Sequence, residues 1–174
     1  MVQLYNKQQI RKWAKNKRLE LNMKSLSSVL VKNLQKTEEY KLAKNVMIFY
    51  PLKNEVDLLS LLEDKTKTFY LPKIDGNNLL CCRYDKNTEL CESCFHTKEP
   101  IDQQEKHTTL DLIIVPALAV DQDNYRLGYG KGFYDRFLGK NSNIKTIVCI
   151  PKELTVETIF PNEHDIPVDL VITT

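Results

Sequence analysis

Three of the chain's five glycines fall within five residues, in the run RLGYGKGFYD at positions 126–135. Glycine permits backbone conformations with positive φ and lets another group approach the main chain closely. This run, here called the glycine segment, also contains two cations, Arg126 and Lys131, and a carboxylate, Asp135. Backbone N–H groups and cations bind phosphates, whereas a carboxylate can bind the accompanying magnesium ion. The glycine segment therefore indicates a site for a nucleoside triphosphate.

The spacing of these glycines rules out two common phosphate-binding motifs. No GxxxxGK[ST] pattern can be matched to positions 128–133, and the order is GxGxG where a dinucleotide-binding turn has GxGxxG. By itself, a GxGxG run is as compatible with a structural hairpin as with a nucleotide site. The neighbouring residues favour the nucleotide, because an arginine precedes the first glycine, a lysine separates the last two, and an aspartate follows.

The histidines and cysteines form no catalytic pattern of comparable strength. The three histidines are isolated in the sequence: His96, His107 and His164. None has an evident serine or cysteine partner for nucleophilic catalysis. Cys91 and Cys94 have metal-ligand spacing, but a closed zinc site needs four ligands and the chain has no second CxxC pair. Cys81 and Cys82 are candidates to complete such a site, but we expect ordinary thiols.

The charge of the chain is uneven. The net charge is +2, but the first 45 residues carry eleven Lys or Arg against three Glu, which leaves −6 for the remainder. A basic N-terminal part is compatible with RNA binding, yet it lacks the interleaved aromatic residues of a single-strand binder. We favour a solvated helical face, with attraction of a small anionic substrate as a compatible role. We therefore expect no nucleic-acid partner.

The length and composition are typical of a globular protein with one core. The chain has 174 residues, of which 42% are hydrophobic and 28% charged. No stretch approaches the ~20 apolar residues of a membrane-spanning helix. The first seven residues lack the apolar core of a signal peptide. We expect a cytoplasmic protein that acts as a monomer without a membrane partner.

The hydrophobic pattern predicts two N-terminal helices. Asn6 can cap the first, in which apolar residues recur at helical spacing over positions 10–21 with Lys and Arg opposite. Lys7 and Arg11 are four residues apart and therefore share a face. A second helix follows, which Ser25 can cap.

Short apolar runs predict the sheet. We assign strands to residues 46–50, 68–72, 111–116, 144–150 and 169–173, an antiparallel edge strand to 79–84, and helices to 57–64 and 132–138. The order strand–helix–strand implies right-handed parallel crossovers. The pattern indicates one α/β domain over residues 1–174 with a mainly parallel central sheet.

Ligands of such sheets bind beyond the carboxyl ends of the strands. Three predicted connections lie there: the turn at 51–55, the turn at Lys73, and the long connection over 116–135. Residues that are distant in sequence are therefore expected to line one cleft.

Two neighbouring runs carry a family resemblance. Residues 111–121 (DLIIVPALAVD), together with the glycine segment, resemble the signature of the 5-formyltetrahydrofolate cyclo-ligases, also called 5,10-methenyltetrahydrofolate synthetases. The similarity extends to residues 7–11, 49–55, 71–73 and 162–165, and so spans essentially the whole chain. This ordered set is far more specific than a single glycine pattern.

The sequence departs from the family pattern at three positions. Ala117 and Ala119 stand where the family usually has glycine, and Tyr125 stands where it often does. Asn124 tolerates left-handed backbone geometry and can take over that turn. The departures concern the backbone shape of this connection more than the chemistry.

The resemblance implies both a fold and a reaction. The implied fold has three α/β/α layers, is Rossmann-like, and is similar to that of sugar-phosphate isomerases and CoA transferases. The implied reaction is the ATP- and Mg²⁺-dependent conversion of 5-formyltetrahydrofolate, polyglutamylated or not, into 5,10-methenyltetrahydrofolate, ADP and phosphate. Because the formyl group is an unreactive amide, its oxygen would first attack the γ-phosphate to give a phosphorylated imidate. Folate N10 would then add to the activated carbon, and phosphate would leave.

The resemblance also implies roles for individual residues. Arg126 and Lys131 would stabilise the transferred phosphoryl group. The ATP-binding residues would be Lys7, Arg11, Arg126, Leu127, Gly128, Tyr129, Gly130, Lys131, Gly132, Phe133 and Tyr134. The folate-binding residues would be Tyr50, Glu55, Lys73, Gly128, Tyr129, Gly130, Lys131 and Gly132. Asp135 and Asp165 would ligate Mg²⁺, which prefers carboxylate oxygens.

Several of these roles have a structural alternative. Lys7 and Arg11 taken alone are typical solvent-exposed helix residues. Asp135 could stabilise a helix N-terminus, and Glu55 and Asp165 could be turn residues. A non-catalytic nucleotide or folate binder of the same fold is therefore a second functional hypothesis, and RNA binding is a third.

Overall fold

Three of the four described α-helices begin at polar capping residues. The structure, a computed structural model, describes residues 4–93, 96–101 and 109–174. The α-helices in these ranges are α1 (Lys7–Glu20), α2 (Met23–Lys36), α3 (Glu38–Leu42) and α4 (Phe133–Lys140). The Asn6 side chain accepts a hydrogen bond from the Gln9 N–H, so it caps α1 as predicted. Helix α2 is capped by Asn22, which accepts from the N–H of Ser25, and the prediction of Ser25 as the cap was wrong.

A six-stranded sheet forms the centre of the fold. The strands are β1 (Asn45–Met47), β2 (Thr68–Asp75), β3 (Asn78–Tyr84), β4 (Leu90–Glu92), β5 (Lys98–Pro100), β6 (Leu112–Ile114), β7 (Ala119–Val120), β8 (Arg126–Leu127), β9 (Lys145–Ile150) and β10 (Leu170–Thr173). The order in the main sheet is β10-β9-β6-β1-β2-β3. All neighbours in it are parallel except β2 and β3, which pair antiparallel at the edge. The mainly parallel sheet with its antiparallel edge strand is confirmed.

The sheet is covered on both faces, which gives three layers. In β9, the side chains of Val148 and Ile150 belong to a cluster that includes residues of α1 and α4. The alternate side chains, Ile147 and Cys149, pack in a second cluster with α2 and α3. A strand that is buried on both faces must be apolar at successive positions, as the unbroken apolar runs indicated.

Two predicted elements differ from the observed ones. Strand β2 does not end at Pro72 but continues to Asp75, where it pairs only with β3. The last β1 partner in the register is Tyr70, so the missing N–H of Pro72 lies beyond the β1 ladder. The helix predicted over 57–64 is a shorter 3₁₀ helix at Leu59–Glu63. Its buried leucines, Leu58 and Leu61, are three residues apart, which suits three residues per turn.

The connection from β6 to α4 folds into the small antiparallel pair β7–β8. Its turn contains Asn124 with φ of 63°, so asparagine does take the left-handed position. The buried Asp121 holds this turn, because its carboxylate accepts hydrogen bonds from the backbone of Asp123, Tyr125 and Ile159. The turn therefore places the glycine segment, which begins with β8, at the end of the sheet.

Helices of the described ranges are all too short or too polar to cross a bilayer.

Candidate active site

A cleft of about 990 Å³ lies at the carboxyl ends of the parallel strands. Its walls come from the loop after β1, the second half of β2, strand β5, the glycine segment, and residues 162–166. Of the three predicted connections, 51–55 and 116–135 contribute to the cleft. A cleft at this edge of the sheet is therefore built from distant parts of the sequence, as expected for an open α/β sheet.

Helix α1 lies along the glycine segment and contributes Lys7 and Arg11 to the cleft. The Lys7 ammonium pairs with the carboxylate of Asp165, 158 positions along the chain. The Arg11 Nε donates a hydrogen bond of 2.9 Å to the carbonyl oxygen of Gly128. Both side chains therefore bond other residues of the cleft wall, which contradicts the alternative that they are ordinary solvent-exposed helix residues.

The two predicted metal ligands lie beside each other in the fold. The Asp135 Oδ1 accepts hydrogen bonds from Arg126 Nη2, at 3.0 Å, and from the backbone N–H of Ile166, at 3.3 Å. Ile166 directly follows Asp165, so this bond joins the segment that carries Asp165 to Asp135 in α4. Lys7, Arg126, Asp135 and Asp165 are here called the charged cluster.

The electrostatics of the charged cluster favour the ionised form of Asp165. Burial raises the pKa of Asp165, but the Lys7 ammonium and the backbone N–H of Asn162 together outweigh burial. The resulting pKa lies below the ordinary value of an aspartate. Asp165 is therefore anionic at neutral pH.

Two polar groups, Nε of Arg126 in the charged cluster and the hydroxyl of the neighbouring Tyr134, are buried without a hydrogen-bond partner among the described residues. The Arg126 guanidinium lies over the Tyr134 ring, 5.8 Å from its centroid, and its side chain is 3% exposed. Buried donors are normally paired, and unpaired ones call for an explanation such as a missing ligand. Both residues line the cleft.

The backbone of the glycine segment adds further donors. Gly130 and Gly132 have φ of 102° and 67°, conformations that side chains rarely adopt. Gly132 is the N-cap of α4, and no side-chain hydrogen bond caps this helix end. The dipole of α4 favours an anion at this end.

The opposite wall of the cleft is shaped by Tyr50, Glu55 and Tyr129. The Tyr129 hydroxyl donates a hydrogen bond of 3.0 Å to Glu55 Oε1, and the Leu52 N–H donates to Oε2 at 2.9 Å. Burial and the nearby Glu55 charge raise the pKa of Tyr129, so its hydroxyl stays protonated and can donate. The Lys98 ammonium lies 5.3 Å from the centre of the Tyr50 ring. We call this wall the tyrosine wall.

Most of the remaining predicted residues also reach the cleft, but one does not. Leu127, Phe133 and the exposed Lys131 are among the lining residues. Lys73 is not, and the structure corrects its predicted position in the cleft. Strand β2 alternates its side chains, so Pro72 and Ile74 face the cleft whereas the Lys73 ammonium bonds the Ile101 carbonyl at 2.6 Å.

Sequence reasoning missed the contribution of β5. Thr97, Lys98 and Glu99 line the cleft. The sequence of this stretch predicted only a loop and a short strand. Glu99 is 7% exposed, and burial raises its pKa against the opposing effect of the Ile74 N–H. No local pattern marks these residues, because β5 pairs only with the three-residue β4.

The described cysteines, Cys81, Cys82, Cys91 and Cys149, are not among the residues that line the cleft. Burial raises the pKa of Cys81 and of Cys149 to about 12, as expected for unreactive thiols. Cys91 is exposed, while Cys94 and His107 lie outside the described residues. Within the ranges that the structure describes, no three His, Cys, Asp or Glu side chains form a metal-binding group.

Curated relatives agree with the resemblance in the sequence. The 5-formyltetrahydrofolate cyclo-ligase of Mus musculus is 27% identical to this chain, over 95% of the chain and 88% of its own length. The cyclo-ligase of Escherichia coli K12 is 32% identical, over 76% of this chain and 79% of its own.

Solved structures agree with the fold. The 5,10-methenyltetrahydrofolate synthetase of Aquifex aeolicus superposes with a TM-score of 0.81 at 34% identity, covering 96% of this chain and 89% of its own. A synthetase of Mycoplasma pneumoniae shares the fold, with a TM-score of 0.73 at 21% identity, over 97% and 98% of the two chains. The predicted three-layer α/β fold is confirmed.

The sequence model of the 5-formyltetrahydrofolate cyclo-ligase family matches residues 4–174. The match covers the charged cluster, the glycine segment and the tyrosine wall together. The chain therefore belongs to the 5-formyltetrahydrofolate cyclo-ligase family, whose members are enzymes that form 5,10-methenyltetrahydrofolate from a folate substrate.

Proposed function

We propose that residues 1–174 form a single domain that cyclises 5-formyltetrahydrofolate at the expense of ATP, with Mg²⁺, releasing ADP and phosphate. One observation carries the proposal: a single cleft joins the charged cluster to the tyrosine wall, and the glycine segment is common to both. A polyphosphate and a folate bound in this cleft would both contact the glycine segment.

The phosphate end of the cleft is proposed to consist of the charged cluster and α1. Lys7, Arg11 and Arg126 would neutralise the ATP phosphates, and the positive end of the α4 dipole would also favour them. The unpartnered Arg126 Nε supports this assignment, because a phosphate oxygen is a suitable acceptor for it.

The donor set of the charged cluster suits magnesium. Mg²⁺ is commonly bound by one or two carboxylates together with water and substrate phosphates. Asp135 and Asp165 supply two carboxylates, so a third protein ligand is not needed. Bound Mg²⁺ would neutralise charge on the phosphates. We therefore propose Asp135 and Asp165 as its ligands.

The chemistry that we propose needs positioning more than a protein nucleophile. The formyl oxygen attacks the γ-phosphorus and ADP leaves, which gives a phosphorylated imidate. Folate N10 attacks the imidate carbon and loses its proton, and phosphate then leaves with the former formyl oxygen. Arg126 and Lys131 would stabilise the negative charge on the transferred phosphoryl group. Glu55 would orient the folate by accepting hydrogen bonds from the N–H groups of the pterin ring.

The proposal is tested by the near-ultraviolet absorbance of the methenyl product at neutral pH. We expect the absorbance to grow only when enzyme, ATP, Mg²⁺ and 5-formyltetrahydrofolate are all present, with one ADP released per product. Arg126→Ala and Lys131→Ala should each lower kcat by about tenfold or more, because charge stabilisation in the transition state is lost.

The matched control is Lys12→Ala, which removes an exposed cation of α1 that does not line the cleft. It should retain the wild-type rate. Binding of the folate or the nucleotide without any turnover would contradict the proposal and favour the non-catalytic binder. Full activity of both glycine-segment variants would contradict the assigned roles of Arg126 and Lys131.

A further inference from the structure

Arg18 is a buried cation that does not line the cleft. It lies in the last turn of α1, and its side chain is only 4% exposed. A guanidinium removed from water is costly unless it is paired and hydrogen-bonded. Its position in the fold therefore calls for specific partners.

The Arg18 guanidinium joins three separate segments of the chain. Its Nη2 donates to the carbonyl oxygen of Ala117, in the connection after β6. Its Nη1 donates to the Tyr129 hydroxyl at 3.2 Å and lies 3.8 Å from Glu55 Oε1. The glycine segment and the loop after β1 are thus held to α1 by one side chain.

The order of these contacts fixes the Glu55 carboxylate. The Tyr129 hydroxyl accepts from Arg18 and donates to Glu55, so its proton is directed at the carboxylate. The second carboxylate oxygen accepts from the Leu52 N–H. Glu55 is 6% exposed, and among the described residues Arg18 is the cation that pairs with it, so loss of Arg18 would leave a buried charge without that partner.

We propose that Arg18 is a positioning residue that sets up the folate-binding side of the cleft through Tyr129 and Glu55. The inference rests on the proposed function, because it assumes that Glu55 binds the pterin ring. None of these contacts joins Arg18 to any of the four residues of the charged cluster, which we assign to ATP and Mg²⁺. Its loss is therefore expected to weaken the folate and to spare the nucleotide.

Arg18→Met keeps the length of the side chain and removes its charge and donors. We expect the KM for 5-formyltetrahydrofolate to rise by about tenfold or more, since a buried charge loses its partner. The KM for ATP should stay within about twofold of the wild-type value. Lys12→Met, which changes an exposed cation of the same helix, should alter neither constant.

The variant Tyr129→Phe distinguishes a positioning role of Arg18 from a general effect of Arg18 on the stability of the fold. It removes the hydroxyl that links Arg18 to Glu55 and leaves the Arg18 contact with Ala117 in place. We expect the same selective rise in the folate KM, and less than additive effects when Tyr129→Phe is combined with Arg18→Met. This variant carries the test if Arg18→Met does not fold.

The inference is overturned if Arg18→Met lowers the melting temperature but leaves both KM values unchanged or raises them equally. Calorimetric titration with 5-formyltetrahydrofolate separates this result from failure of the proposed function. Wild-type protein that binds the folate without turnover would contradict the function, while the Kd values of the variants would still decide the role of Arg18. Wild-type protein that neither binds nor converts the folate would overturn both.

Discussion

Asp135 pairs with Arg126, and Asp165 pairs with Lys7. The arrangement keeps the buried Arg126, the partly buried Lys7 and two carboxylates together, so that neither kind of charge is left alone in the cleft wall. Entry of ATP with Mg²⁺ would bring anionic phosphates to the cations and a metal to the carboxylates. The charged cluster thus contains both the cations that would bind the phosphates and the carboxylates that would bind the metal.

This balance leads to a prediction about magnesium. Asp135→Asn and Asp165→Asn should each raise the Mg²⁺ concentration at half-maximal rate by about tenfold or more, because a neutral amide is a poorer ligand than a carboxylate. The KM for 5-formyltetrahydrofolate should change little. The measurement is the initial rate at increasing Mg²⁺ with saturating ATP.

The control for the magnesium series is Asp123→Asn, which neutralises an exposed aspartate in the β7–β8 turn. It should show the wild-type Mg²⁺ dependence. If Asp135→Asn and Asp165→Asn also do so, the two carboxylates are not the metal ligands.

At the scale of the element, α1 and the glycine segment are fitted to each other. Arg11, Lys15 and Arg18 recur along one side of the helix and reach the segment at Gly128, at the Tyr129 ring and at the Tyr129 hydroxyl. The Lys15 ammonium lies 5.6 Å from the ring centre. The basic N-terminal helix is thus in large part a support for the glycine segment.

Gly130 tests how closely the two elements fit. Its φ of 102° disfavours alanine, and an added Cβ would lie 3.3 Å from the Arg11 guanidinium carbon. Gly130→Ala should lower the free energy of unfolding by about 1–3 kcal/mol and raise the KM for ATP, because Arg11 must move. Thermal unfolding and steady-state kinetics measure both effects.

Gly139→Ala is the matched control, because it lies inside α4 and its added Cβ would make only an ordinary 3.5 Å contact with Ile166. We expect it to raise the melting temperature slightly, through a gain of about 0.5 kcal/mol in helix propensity. An equal response of the two glycines would argue against a special role for Gly130.

The sequence predicted elements where the signal is local. The Asn6 cap, the apolar strands and the left-handed Asn124 each depend on a few adjacent residues. Arg18 was not predicted, because an arginine on a basic helix reads as solvated until the fold brings Glu55 and Tyr129 against it. Lys73 was misplaced for a related reason, since the length of β2 is set by its pairing with β3 and not by Pro72.

At the scale of the whole molecule, the two apolar clusters depend on a sheet whose far edge is β10. Asp169 stabilises this edge, because its Oδ2 accepts hydrogen bonds from the backbone N–H and the hydroxyl of Thr146, both at 2.8 Å. Burial raises the pKa of Asp169, but these bonds and nearby Lys145 outweigh it, and the pKa lies below its ordinary value. The sheet edge is therefore held more strongly when Asp169 is ionised.

The stabilising effect of Asp169 is expected to depend on pH. A carboxyl with a lowered pKa in the folded state stabilises the fold above its unfolded pKa, and loses this effect as the pH falls through the folded value. Asp169→Asn should therefore be less stable than wild type at pH 7, by about 1 kcal/mol or less at this half-exposed position. The difference should shrink progressively below about pH 4.

Urea unfolding at several pH values measures the effect, with Glu157→Gln as a control that removes an exposed carboxylate. A difference between Asp169→Asn and wild type that is the same at neutral and at acidic pH would contradict the explanation.

The ion pair between Lys7 and Asp165 joins positions 158 residues apart. Ribosomes add about 5–20 residues each second, so roughly 8–30 s pass between the synthesis of the two partners. During that interval the nascent chain contains Lys7 without the carboxylate that pairs with it. The phosphate end of the cleft therefore cannot be completed before Asp165 has been synthesised and has left the ribosome.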